Sequence, residues 1–222
     1  MNLIAFECSK CRDGYRIVTY GRQSTGGARK LPNRPSPTYL VPASDQFHLY
    51  SPLDVPAVFA RFAEAPANDE GMRQFADNFG LPGSGPGSIE RKHSISSLLE
   101  NQAVMRRALD ALEKGDRQEL IKLLHEGHTR AGPFDIPGQS GLARLELRLG
   151  PAGGLETAIV PPTLMQAMWI QFLLHAASDA QLFRCEQCRK PFVVGSGTKR
   201  RSTAKYCSNA CKVAAFKARQ EV

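Results

Sequence analysis

The chain has 222 residues, 42% of them hydrophobic, with 29 Lys and Arg against 21 Asp and Glu for a formal net charge of +8. At roughly 100–200 residues per domain this length suggests one ordinary domain plus something small, and the apolar fraction suits a chain that buries a core. No stretch approaches the ~18 uninterrupted apolar residues of a membrane span. The start lacks the charged-then-apolar pattern of a signal peptide. Membrane, exported and disordered-tail readings are therefore set aside, and a soluble cytoplasmic protein is expected.

In chain order, residues 1–38 read as an N-terminal extension that ends in a Pro- and Arg-rich linker over 26–37. The extension carries Cys8-x2-Cys11, half of a metal site with no matching pair or His cluster near it. It is read as a knuckle without its other half, with a remote partner as the alternative. Residues 39–180 read as a mostly helical domain. Asp54 can cap a helix with Val58, Phe59, Phe62 and Ala63 on one side. Asn68 or Asp69 starts a second, with Met72, Phe75, Ala76 and Phe79 as its apolar stripe and Gly80 as its end. After the Pro/Gly breaker at 81–87, Ser88 opens a long helix. Its stripe is Ile95, Leu98, Leu99, Met105, Leu109 and Leu112, interrupted by Gln102, and Gly115 ends it. Asp116 caps a shorter helix that runs to Gly127.

The period then changes. Arg144–Leu149 alternates strictly, residues 151–154 turn, and Leu155–Val160 returns, which predicts a β-hairpin with one buried face. Pro161-Pro162-Thr163 starts a very apolar helix through Leu164, Met168, Trp169, Phe172 and Ala176, with Trp169, the only Trp, read as core. The expected class is mainly α with a β-hairpin (α+β), a helical domain followed by a small module at residues 183–222.

The charge concentrates in that last segment. From Phe183 onward there are ten basic residues against Glu186 and Glu221, so the last forty residues carry +8 and the other 182 sum to zero. Such asymmetry points to an anionic partner, with a merely solvated basic face as the alternative. The same segment holds four of the six cysteines, as Cys185-x2-Cys188, eighteen intervening residues, then Cys207-x3-Cys211. Two close pairs at this separation match a four-thiolate zinc site. One tight turn supplies two ligands and the returning chain supplies the others. Phe192-Val193-Val194 follows the first knuckle as a short strand, and Ser208 can cap a helix from Asn209 to about Gln220 with Cys211 in its first turn. A knuckle plus a helix N-terminus around one zinc is the treble-clef arrangement, so a small treble-clef zinc finger is expected at residues 183–222. Forty residues cannot build a sufficient apolar core, so one structural Zn²⁺ would supply folding free energy.

Lys199, Arg200, Arg201 and Lys205 lie in the intervening loop and Lys212, Lys217 and Arg219 on the last helix, as candidate phosphate contacts for double-stranded DNA. Phe216, between the helical cations, is read as an anchor of the module's own small core, with a contact residue as the alternative. An active site is not expected. His125-Glu126-Gly127-His128 lacks metalloprotease spacing. No phosphate loop or nucleophile elbow occurs, and the treble-clef nucleases need histidines that 189–206 and 212–222 do not contain.

The run Phe183-Arg184-Cys185-Glu186-Gln187-Cys188-Arg189-Lys190-Pro191-Phe192 and the later Lys205-Tyr206-Cys207-Ser208-Asn209-Ala210-Cys211 resemble the C-terminal zinc finger of bacterial ABATE/CGNR-type proteins. Tyr50–Pro56, Phe59–Phe62, Phe75–Gly80 and the passage into Trp169 are similar, more loosely, to the helical domain that family places before its finger. The tetrad that names the finger is absent, Lys212-Val213-Ala214 following Cys211. The resemblance implies Cys185, Cys188, Cys207 and Cys211 as zinc ligands and a role in DNA binding and transcription regulation. A protein-interaction adaptor, or a helical domain that takes a protein partner or small-molecule effector, is the alternative.

Overall fold

A computed structural model of the chain describes residues 6–20, 36–55, 57–86, 88–130, 144–149, 155–178, 180–195 and 203–220. Among the described residues the architecture is mixed, with six helices and four small sheets, every strand pairing antiparallel. No described helix is long and apolar enough to cross a membrane.

The strands β1 (Cys8–Cys11) and β2 (Tyr15–Thr19) fall in the expected extension, yet they are not separate from the body of the protein. β1 pairs with β4 (Phe47–Tyr50), Cys8 opposite Tyr50 and Cys11 opposite Phe47. β2 pairs with β3 (Thr38–Pro42), which in turn pairs with β5 (His93–Ser94). The boundary drawn at residue 38 thus falls inside a sheet. Phe6, Cys8, Cys11 and Tyr15 are buried in the same core as the helices. The sequence offered no local sign of this, because the partner of each strand lies some twenty to forty residues away.

Five helices form the body: α1 (Val58–Glu64), α2 (Asp69–Phe79), α3 (Ile95–Lys114), α4 (Arg117–Arg130) and α5 (Leu164–Ala176). Three starts use side-chain caps of the ordinary kind. Asn68 accepts from the Gly71 amide at 2.8 Å, Asp116 from Glu119 at 3.0 Å and Thr163 from Gln166 at 3.3 Å. The start of α1 differs from expectation. Pro52–Asp54 forms a separate 3₁₀ turn, Ala57 sits in the left-handed region, and the Val58 amide is capped by Gln171 of α5 at 3.0 Å. That cap is tertiary, so Asp54 is not the N-cap.

The long helix begins at Ile95, seven residues after Ser88. Residues 83–86 and 88–90 are held instead as a loop. The Glu90 carboxylate accepts from the Gly83 amide at 2.8 Å, Ser84 Oγ accepts from the Glu90 amide at 3.2 Å, and His93 is drawn into pairing with Leu40. The Gln102 that breaks the α3 stripe is 1% exposed, and its Nε2 donates to the Phe62 and Ala65 carbonyls at 2.9 and 2.7 Å. It caps the C-terminal end of α1, where carbonyls lack helical partners. Gly127 does not end α4, which continues to Arg130. It is a glycine for another reason: a Cβ there would overlap the Trp169 ring.

Trp169 is 1% exposed, at the centre of a core with Phe59, Phe62, Met105, Leu123 and Phe172. The Trp169 and Phe59 rings each meet Phe172 edge-on, with centroids 5.9 and 5.2 Å apart. The hairpin β6 (Arg144–Leu149) and β7 (Leu155–Val160) forms as predicted. Its inward face is not the leucine face, however. Ala158 and Val160 are buried, whereas Leu147, opposite Thr157, is 73% exposed. The strand alternation shows two faces but not which one the body covers.

Candidate metal centre and its basic groove

The C-terminal module is built on β8 (Gln181–Arg184), β9 (Pro191–Val194) and α6 (Asn209–Gln220). β8, which had no clear signal in the sequence, pairs with β9 and leads directly into Cys185. The knuckle closes through the Cys185 amide on the Lys190 carbonyl at 3.0 Å and the Arg189 amide on the Cys185 carbonyl at 2.9 Å, with Arg189 in the left-handed region. The Glu186 amide bonds the Lys205 carbonyl at 3.0 Å, which brings the returning chain alongside. Ser208 then caps α6 as expected, its hydroxyl accepting from the Cys211 amide at 3.2 Å. Cys207 is thereby set just ahead of the first helical turn and Cys211 within it.

Cys185, Cys188, Cys207 and Cys211 converge so that their sulfurs all lie within 4.8 Å of one another. The Cys188–Cys207 and Cys207–Cys211 sulfurs are each 3.5 Å apart, and all four are free thiols. A metal–sulfur bond of about 2.3 Å places tetrahedral sulfurs about 3.8 Å apart. The cluster therefore fits one metal ion with four sulfur ligands and no open position. Burial pushes the Cys185 thiol up, but hydrogen bonds from the backbone of Cys188, Cys207 and Gln187 and from the Cys188 side chain outweigh it and bring the thiol down to about 6. Cys207 is pushed up to about 12, by burial first and then by the neighbouring sulfurs. Four sulfurs this close repel a second thiolate, and a bound cation relieves that repulsion.

Cys8 and Cys11 build no such site. Both are buried in the body core, Cys8 Sγ 3.9 Å from the Ser84 carbonyl and Cys11 Sγ 3.5 Å from the Ser44 carbonyl. Burial pushes the Cys8 thiol up to about 12, with the nearby Glu90 carboxylate adding to it. Among the described residues, the C-terminal cysteines are the one group of three or more donors that could hold a metal.

Around the cluster, Cys185, Phe192 and Val194 form a small separate core, covered by Ala204, Tyr206 and the other cysteines. Only Ala215 of α6 is buried. Phe216 departs from its core reading. It is 60% exposed, and Val213 is 53% exposed. Among the described residues no second layer covers that side of the helix. Of the seven candidate phosphate contacts, Lys199, Arg200 and Arg201 lie outside the described residues. Lys205, Lys212, Lys217 and Arg219 are exposed. Lys205 pairs with Glu186 at 3.4 Å, and Arg219 donates to the Tyr206 hydroxyl at 2.8 Å.

Two open grooves adjoin the metal cluster. One, of about 530 Å³, runs along Thr203–Asn209 to Lys212. The other, of about 480 Å³, is lined by Tyr206, Asn209, Lys212, Val213, Phe216 and Arg219. They share Tyr206, Asn209 and Lys212, and so adjoin one another along the start of α6. Sequence reasoning found the cations of these grooves but missed Tyr206, Asn209 and Val213. The spacing of 209, 213 and 216 along one helical stripe was the available signal.

Compared with family models and with curated proteins, the chain matches none.

Proposed function

We propose that the C-terminal module is a treble-clef zinc finger that binds nucleic acid, and that the protein is a transcription regulator whose helical body modulates that binding. The observation that carries the reading is the pair of adjoining grooves beside the four-thiol cluster, with Lys205, Lys212 and Arg219 along them. Zinc is the ion that four thiolates in a tetrahedron favour in a structural site. It would be held by Cys185, Cys188, Cys207 and Cys211, and it would fix α6 against the knuckle. Zn²⁺ with four thiolates carries a charge of about −2, so the last forty residues, at +8 before the metal is counted, remain strongly basic. The resemblance of the module's two cysteine runs to the ABATE/CGNR-type finger supports the same reading and places the body as its accompanying helical domain.

Anisotropy of a labelled mixed-sequence oligonucleotide, with the zinc-loaded full chain across a salt series, tests it. Binding is expected to weaken log-linearly with salt, by about 0.9 in slope per phosphate contact on a duplex and about 0.7 on a single strand. Cys207→Ser, which removes a ligand, is expected to abolish it. Absence of binding at low salt by protein containing one zinc per chain would overturn the proposal and direct attention to protein partners.

A further inference from the structure

A duplex offers a basic module phosphates on its outside and base edges in its grooves, while the faces of its bases are stacked away. The groove on α6 is not built for edges alone. Phe216 presents a ring that is 60% exposed, beside Val213 at 53%, and neither contributes to the small core that closes the module. Across the same groove Tyr206 is held by Arg219, whose guanidinium donates to its hydroxyl at 2.8 Å. Three side chains with flat faces, Tyr206, Phe216 and Arg219, thus meet Lys212 and Asn209 in one channel. Exposed aromatic rings interleaved with cations are the means by which proteins hold unpaired bases, the ring taking the base face and the cations the backbone.

Resting on the nucleic-acid reading, we infer that the occupant of this groove is single-stranded nucleic acid, one base stacking on the Phe216 ring while Lys212 and Arg219 follow the phosphates. The apolar strip is then a ligand platform. The groove that adjoins it past Tyr206 toward Thr203 gives the strand a path along the metal cluster. Duplex DNA uses only the cations of the same channel and leaves Phe216 uncovered.

The test compares a labelled 12-nucleotide single strand of mixed sequence with its duplex, using the zinc-loaded full chain, its Phe216→Ala and Phe216→Trp variants, and Lys212→Gln. The wild type is expected to prefer the single strand. Phe216→Ala should weaken single-strand binding roughly 5- to 150-fold, the range set by one stacked base, with its salt slope unchanged and duplex binding altered less than twofold. Phe216→Trp should retain binding and lose indole emission when the strand is added. Lys212→Gln should lower the salt slope by about 0.7. Zinc content of one per chain verifies that each variant is folded. If Phe216→Ala binds the single strand as the wild type does, the stacking inference is wrong although the nucleic-acid reading stands. If neither form is bound at low salt, both fall together, and an acidic protein surface becomes the partner to seek.

Discussion

Gln102 interrupts an otherwise apolar stripe on α3, and leucine there would complete the pattern. The structure gives the opposite expectation for stability. The Gln102 amide reaches two carbonyls at the end of α1, at 2.9 and 2.7 Å, in a site 1% exposed to solvent. Arg106 also donates to the Ala65 carbonyl at 3.1 Å and the Ala65 amide to the Phe62 carbonyl at 3.3 Å, so each acceptor keeps one partner. Gln102→Leu is nevertheless expected to lower stability by about 1–2 kcal/mol, the cost of removing a buried donor from its acceptors. Urea unfolding checks this, with a lower midpoint and an unchanged slope expected. At this scale the sequence marked the anomalous position but not its cause, because the acceptors come from a helix some forty residues earlier. Gly127 has the same history: its place on α4 was visible, but the Trp169 ring that requires a glycine there comes from α5.

Helix starts governed by their own side chains were legible. Asn68, Asp116, Thr163 and Ser208 all cap where expected, since a cap is a contact over three residues. Starts governed from a distance were not: Gln171 sets that of α1, and the loop at 83–86 and 88–90 delays that of α3. The four cysteines were legible for a similar reason, since knuckle and capped turn are each local and only their meeting is not. On the proposed zinc reading, the same module depends on a metal more than on packing. Its own core is Cys185, Phe192 and Val194, and α6 buries only Ala215. Removing the metal with a strong chelator is therefore expected to unfold α6, seen as a partial loss of far-UV helical signal while the body remains folded. Acid should act in the same direction. Protons compete with the metal for thiolates, so affinity falls as pH falls. A helical signal that is indifferent to chelator in protein shown to have lost its metal would contradict this account.

Body and module are joined by more than the chain. Leu182 and Val193, on the paired strands β8 and β9, pack against the body core. Arg184, one residue before the first sulfur ligand, grips Glu64 at the end of α1 with two contacts of 2.7 Å. Arg184 is more than half exposed, so the pair contributes little stability of its own, about 0–1 kcal/mol. Its position matters more, because it ties the knuckle to the end of α1, the same stretch that Gln102 caps. No periodicity or motif announced this joint, which is formed by side chains 120 positions apart.

The burial of Trp169 gives this arrangement an optical meaning. The chain has one indole, and it lies in the middle of the helical body, enclosed on all sides. Its emission should be blue-shifted and should hold its wavelength when the metal is stripped, since α6 contributes nothing to its surroundings. Fluorescence from the body is thus expected to stay constant while the module empties or unfolds. A change in Trp169 emission on adding an oligonucleotide to the unmodified chain would then have one interpretation. It would be a signal carried inward from the groove to the helices, with Arg184 and Glu64 at the crossing.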